Sequence, residues 1–165
     1  MVSVSDADYT APAGVTEITL IGSQQSAIGN DAGDSFHANN NTRNVMIGGA
    51  GSDTFHFGLA GDTASGNGGA DTFAFDQTPW VGSHITDFNL TQDRIDLTGL
   101  LAKSGYSGPD PIGAGYVKIT QDTAGNAQVW SDLDKVVPGA GWYLVTTVDH
   151  VAAASLHMQG AFITG

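Results

Sequence analysis

Asp53, Asp62 and Asp71 stand nine residues apart; Asn44 extends the series back by nine, and Asp34 extends it once more with a one-residue slip. Short carboxylates repeated at that beat, each following a glycine-rich run, suit a hard cation. Ca2+ takes about six to eight oxygens at roughly 2.3–2.6 Å, and a turn of glycines beside an aspartate presents carbonyls and a carboxylate at that radius. One turn supplies too few of them, so neighbouring turns have to share an ion. The competing reading is an ordinary Asx-turn in a glycine-rich β-protein, which accounts for most isolated Asp turns.

The elements that would position these aspartates are visible in the same stretch. Glycine keeps the beat at Gly29 and Gly33, then Gly48, Gly49 and Gly51, then Gly58 and Gly61, then Gly66, Gly68 and Gly69. Two residues beyond each Asp or Asn stand Phe36, Met46, Phe55, Ala64 and Phe73. Each unit therefore reads as a tight turn that can adopt positive φ, a carboxylate, and a strand of β-branched and aromatic residues with one inward apolar side chain. Such a strand is too short to fold alone, and stacking the units buries the apolar row.

Composition narrows the function classes. Of the 17 acidic residues all but Glu17 are Asp, against 5 Lys and Arg, giving a formal charge of -12 in 165 residues. That balance argues against binding nucleic acid or inserting at an anionic membrane, since both need a basic footprint. With no Cys and 23 Gly, neither disulfides nor thiolate sites hold the chain, which leaves metal as the natural staple. The opening MVSVSDADYT has no basic or apolar leader segment, and no apolar run reaches the roughly 18 residues of a membrane span, so the expectation is neither a Sec signal nor a transmembrane helix.

The nine-residue pattern, complete in IGGAGSDTFHF (47–57), nearly so in GNGGADTFAF and worn in FGLAGDTAS, resembles the RTX (repeats-in-toxin, haemolysin-type) calcium-binding repeat. The resemblance continues through ADTFAFDQ…HITDFNLTQDRIDLTGLL (70–101), which looks like the segment after the last repeat in serralysin-type proteases and type I secretion target domains. Upstream, DYTAPAGVTEITLIGSQQSAIGN resembles a leading turn of such arrays, and AQVWSDLD…GWYLVTTVDHVAAASLHMQGAFI resembles their terminal secretion-target region. Related roll modules occur in alginate epimerases.

The resemblance implies an all-β fold: a short right-handed parallel β-roll capped by a C-terminal β-rich, sandwich-like region. Residues 1–14 are expected as a tail or edge strand, 15–75 as the roll, and 76–165 as the cap and type I secretion target region. Two units per turn give roughly three turns about 15 Å tall. Within the cap, YVKITQ and AQVWS flank DTAGN as a hairpin and WYLVTTV adds a third strand. Short helical turns are expected at LTGLLA and at DHVAAASLHM with Asp149 as N-cap, and 102–115 as a loop.

The resemblance also implies the ligands. Successive units alternate sides, so the turn ending at Asp53 stacks with those ending at Asp34 and Asp71, while Asn44 faces Asp62 on the other side. A calcium ion would lie between stacked turns, held by Asp53 and Asp71 with the carbonyls of Gly48, Ala50, Gly66 and Gly68. Asp34 with Asp53 forms a second pair, and Asn44 with Asp62 a third that lacks one charge. Asp31, Asp76 and Asp87 are auxiliary candidates at the ends.

Other constellations carry less. The five His include no HExxH, so the protease activity of serralysins does not transfer, and His37 and His56 should face outward from the sheet. There is no GxSxG elbow or phosphate loop, no catalytic residue is expected, and Asp110-Pro111 reads as a plain turn. Trp80, Trp130 and Trp142 allow an alternative, a module that binds a neutral glycan or a surface while calcium is structural. The primary expectation is a calcium-triggered folding and secretion module: the C-terminal part of a larger extracellular protein, secreted through type I (ABC) machinery.

Overall fold

The computed structural model describes residues 1–5, 8–132, 141–158 and 162–163. In chain order the roll runs through β1 (Val2–Val4), β2 (Asp8–Thr10), β3 (Glu17–Leu20), β4 (Ser26–Ile28), β5 (Ser35–His37), β6 (Val45–Ile47), β7 (Thr54–His56), β8 (Thr63–Ser65), β9 (Thr72–Ala74), β10 (Ser83–Ile85) and β11 (Arg94–Asp96). The odd-numbered strands stack in parallel as one sheet and the even-numbered as the other. The chain thus coils between two sheets as a parallel β-roll of about 5 turns.

That is more than the three turns expected. Parallel stacking begins at Val2 and runs to Asp96, past both ends of residues 15–75. The added coils lack the glycine beat, but a three-residue strand needs only a free neighbouring edge and an inward apolar side chain to join the stack.

The register explains the core. Ile18, Phe36, Phe55, Phe73 and Ile95 lie directly over one another on the first sheet, and Ala27, Met46, Ala64 and Ile85 on the second. All nine are fully buried. Phenylalanine rings stack at 4.9 Å (Phe36 on Phe55) and 5.1 Å (Phe55 on Phe73), so the interior is an aromatic pile facing a thinner column of Ala and Met. The five inward positions set by the Asp spacing all fall in these columns.

Beyond β11 come α1 (Thr98–Lys103), then β12 (Val117–Gln121) and β13 (Ala127–Ser131) as an antiparallel hairpin, whose loop uses Gly125 at φ 93. Next, β14 (Tyr143–Val148) pairs antiparallel with β13 and parallel with β10, tying the cap to the roll across 63 residues of sequence at Ser83 and Thr146. After α2 (Ala153–Met158), β15 (Phe162–Ile163) adds to β11. Parts of the expected secretion-target segment, 133–140, 159–161 and 164–165, lie outside the described residues.

Asp149 is not the N-cap of α2. The helix starts at Ala153, and Asp149 instead bonds through its backbone N–H to Ile85 O (2.9 Å) and sets its carboxylate 3.5 Å from His84 Nδ1. Pairing of β14 with β10 ends there and fixes it in place. The expected loop of 102–115 starts later, because α1 runs to Lys103; within it Asp110 accepts the Gly113 N–H (2.7 Å) and closes a turn at Asp110-Pro111.

Candidate metal centre

The coiling brings four loops, 29–34, 48–53, 66–71 and 86–93, into register on one side of the roll. Each ends in an aspartate that immediately precedes a strand of the first sheet: Asp34, Asp53, Asp71 and Asp93, all at most 2% exposed. They form a ladder. Oδ1 of Asp53 accepts the N–H of Asp34 (2.7 Å), Oδ1 of Asp71 that of Asp53 (2.8 Å), and Oδ1 of Asp93 that of Asp71 (3.0 Å).

The second oxygen usually closes the aspartate's own loop. Oδ2 accepts the N–H four residues earlier: Asn30 for Asp34 (2.7 Å), Gly49 for Asp53 (2.9 Å) and Asn89 for Asp93 (2.7 Å). Asp71 breaks the rule. The N–H four residues before it, on Asn67, donates instead to Asp87 Oδ2 (2.8 Å), and Asp87 also accepts from Gly66 N (2.9 Å) and Ser65 Oγ (2.6 Å). Asp71 Oδ2 therefore keeps a lone pair that no described N–H of its loop claims.

Glycine is required where loop and carboxylate meet. A Cβ on Gly48 would strike Asp53 Oδ2 and lie 2.7 Å from Gly66 O, and one on Gly66 would strike Asp71 Oδ2. Gly48, Gly66, Asp53 and Asp71 thus converge, as do the backbones of Gly68 and Ala50, the two brought so near that a Cβ on Gly68 would sit 3.5 Å from Ala50 Cα. The Gly48 carbonyl accepts from Asn67 Nδ2 (3.0 Å), while those of Ala50, Gly66 and Gly68 accept no hydrogen bond from the described residues.

Electrostatics on this side are strained. Burial raises Asp53, Asp71 and Asp93 above the usual carboxylate range, against the opposing pull of their N–H donors. For Asp71, burial together with the nearby charges of Asp93, Asp53 and Asp87 pushes the value to about 6. Stacked carboxylates without a counter-charge disfavour their own ionised form.

The opposite side differs in kind. Asn44 donates to Asp62 Oδ1 from both its backbone N–H (2.8 Å) and its Nδ2 (3.1 Å), Gly58 N closes the Asp62 loop (2.8 Å), and Gln25 N reaches Asn44 Oδ1 (3.3 Å). In the next coil Ser83 takes the place beside Asp62, too short to continue the ladder, with its buried Oγ unpartnered. Burial raises Asp62 as well. With one carboxylate among amides, and that carboxylate held by three N–H donors, this column has little need of a cation.

The structure thus brings together Asp34, Asp53, Asp71, Gly48, Ala50, Gly66 and Gly68, adds Asp87 at the end, and places Asn44 with Asp62 on the other side. It does not bring Asp31 or Asp76 to either column. Asp31 is exposed on its loop, and Asp76 is 3.4 Å from His56 Nδ1 on the outer face of the first sheet, where His56 stacks on His37 (4.6 Å). Asp93 escaped the sequence reading because it lies 22 residues after Asp71 instead of 18; its signal was the Asp-x-Ile of DRI, with Ile95 inward two residues on.

Among the described residues no three His, Asp or Glu side chains meet at one point. A cation between these coils would have to draw on backbone carbonyls together with the Asp column. The donor set is entirely oxygen, carboxylate and carbonyl, which suits Ca2+ and gives a softer ion no nitrogen or sulfur.

Two interleaved parallel sheets of three-residue strands, with loops stacked at their ends, define the chain as a β-roll module. No protein-family model matches the sequence, and no curated protein does. Among solved structures it is similar to the solution structure of the AlgE6R3 subunit of the mannuronan C5-epimerase from Azotobacter vinelandii, at TM-score 0.55 and 21% identity over 97% of this chain and 80% of that one. The AlgE6R2 subunit of the same enzyme matches at TM-score 0.55 and 21% identity, over 85% of this chain and 92% of its own.

Proposed function

We propose that this chain is a calcium-binding module whose folding is driven by the ion, and that it serves as the C-terminal part of a larger protein exported unfolded by a type I system. The observation that supports this is the four-high column of buried carboxylates beside unclaimed glycine carbonyls. Without a cation the column repels itself, and the glycine loops lose more conformational entropy on ordering than any others. With Ca2+, binding free energy becomes folding free energy.

Asp53 and Asp71, with the carbonyls of Gly48, Ala50, Gly66 and Gly68, would hold the principal ion, and Asp34 with Asp53 the next. Bound Ca2+ would supply the positive charge that lets all four carboxylates ionise. Extracellular calcium modules typically bind at about 10⁻⁴–10⁻³ M, so the chain would stay open in a cytosol and close outside. Among the described residues no helix is long and apolar enough to cross a membrane. Circular dichroism of the chain in millimolar Ca2+ and in EDTA tests the reading: β-structure that is unchanged by EDTA removes it.

The glycan-binding alternative gains no support from the tryptophans. Trp130 and Trp142 both pack on Lys118 Nζ (5.3 and 4.2 Å), and Trp80, 69% exposed on the turn before β10, makes no ring contact with either. They do not present one stacking platform.

A further inference from the structure

The sequence contains a single Asn-Gly pair, Asn67-Gly68, and it lies in the middle of the carboxylate-bearing loop 66–71. Asn67 adopts φ 63 and its Nδ2 donates to Gly48 O (3.0 Å) in the loop below, which holds the amide against the neighbouring coil. The N–H of Gly68 donates to Gly49 O (3.0 Å). Both atoms that would have to meet for the side chain to cyclise are tied to the neighbouring coil.

We propose that Asn67 is a site of spontaneous deamidation that loop stacking keeps shut, so that only chains whose coils have opened are modified. The Gly68 backbone nitrogen, after losing its proton to solvent base, attacks Asn67 Cγ. The Cγ–Nδ2 bond breaks, ammonia leaves, and a five-membered imide remains. Water then opens the imide at either carbonyl carbon, giving aspartate or isoaspartate. Gly68 makes the attack possible because it has no side chain to crowd the approach, and thermolability of asparagine is a general property of open chains.

The product cannot restore what was lost. Aspartate presents an acceptor to the acceptor Gly48 O, and adds a charge beside Asp53, Asp71 and Asp87. Isoaspartate lengthens the main chain in a loop where a Cβ on Gly69 would already strike Gly51 O. A chain held open too long would therefore refold poorly, and Asn67 would record how long it had been open.

The full chain is incubated at mildly alkaline pH in buffer and in urea, each with Ca2+ and with EDTA, and digested with trypsin; Arg43 and Arg94 bracket Asn67 in one peptide. Tandem mass spectrometry then follows each Asn. Asn67 should convert first in urea, at least about tenfold faster than in folded chain, since modification tracks the open population. Gly68→Ala, whose added methyl would meet nothing closer than 3.5 Å, should fold and abolish the fast conversion in urea. Equal rates for Asn67 in folded and unfolded chain, or another Asn converting first in urea, overturns the proposal. The urea arms are independent of calcium: if EDTA leaves the chain folded, the calcium reading fails while protection of Asn67 in buffer still stands or falls by itself.

Discussion

The backbone N–H of Asp53 donates to the carboxylate of Asp71, 18 residues further along the chain, at 2.8 Å. Asp53 and Asp71, the inner members of the column, each donate to their successor while their own carboxylate serves their predecessor. A change at one rung reaches the loops above and below it.

Asp71→Asn tests the charge on that rung apart from its hydrogen bond. Asn Oδ1 can still accept from Asp53 N, so the coil should form, but a buried anion disappears. Calcium affinity measured by titration calorimetry should fall by about tenfold or more, some 1.4 kcal/mol. The metal-free variant should at the same time be more stable than metal-free wild type, because less repulsion remains.

The raised carboxylates set a pH dependence with a definite sign. A folded-state value above the unfolded one means the folded chain holds its proton more tightly, so the stabilisation is complete below pH 3.8 and is lost as pH rises through about 6, the window of Asp71. Asp53, Asp62 and Asp93 shift in the same direction. In EDTA the chain should hold more β-structure, by circular dichroism, at pH 4 than at pH 7. Saturating Ca2+ should reverse the order, since the ion binds the ionised carboxylates.

Gly48 and Gly68 separate steric need from mere glycine richness. Gly48→Ala puts a methyl against Asp53 Oδ2 and Gly66 O and should cost about 1–3 kcal/mol in urea denaturation. Gly68→Ala meets only ordinary contacts and should stay within about 0.5 kcal/mol of wild type.

Phe55 lies between Phe36 and Phe73 in the aromatic pile and is fully buried. Phe55→Ala should lose about 3–5 kcal/mol, enough to leave the chain unfolded at moderate temperature even in calcium. Near-ultraviolet dichroism would report the loss.

Much of this was legible from one regularity. An apolar residue two places after each Asp or Asn places Phe36, Met46, Phe55, Ala64 and Phe73 inside, and alternation of sides followed from the resemblance of that nine-residue beat to a known repeat. What the beat could not reveal is what does not repeat. Asp93 ends a loop, 86–93, two residues longer than its neighbours, Gln25 and Ser83 hold column positions with other side chains, and β1, β2, β10 and β11 join the stack without the glycine beat. The pairing of Asp149 with His84 depends on β14 meeting β10 across the chain, which no local pattern encodes.

The two ends of the roll are not equivalent. β1 and β2 each have one paired edge, while at the far end β10 is clasped by β14 and β11 by β15. Since each coil leans mainly on its neighbour, tension or thermal fraying should peel the stack turn by turn from Val2 inward, with the cap letting go last.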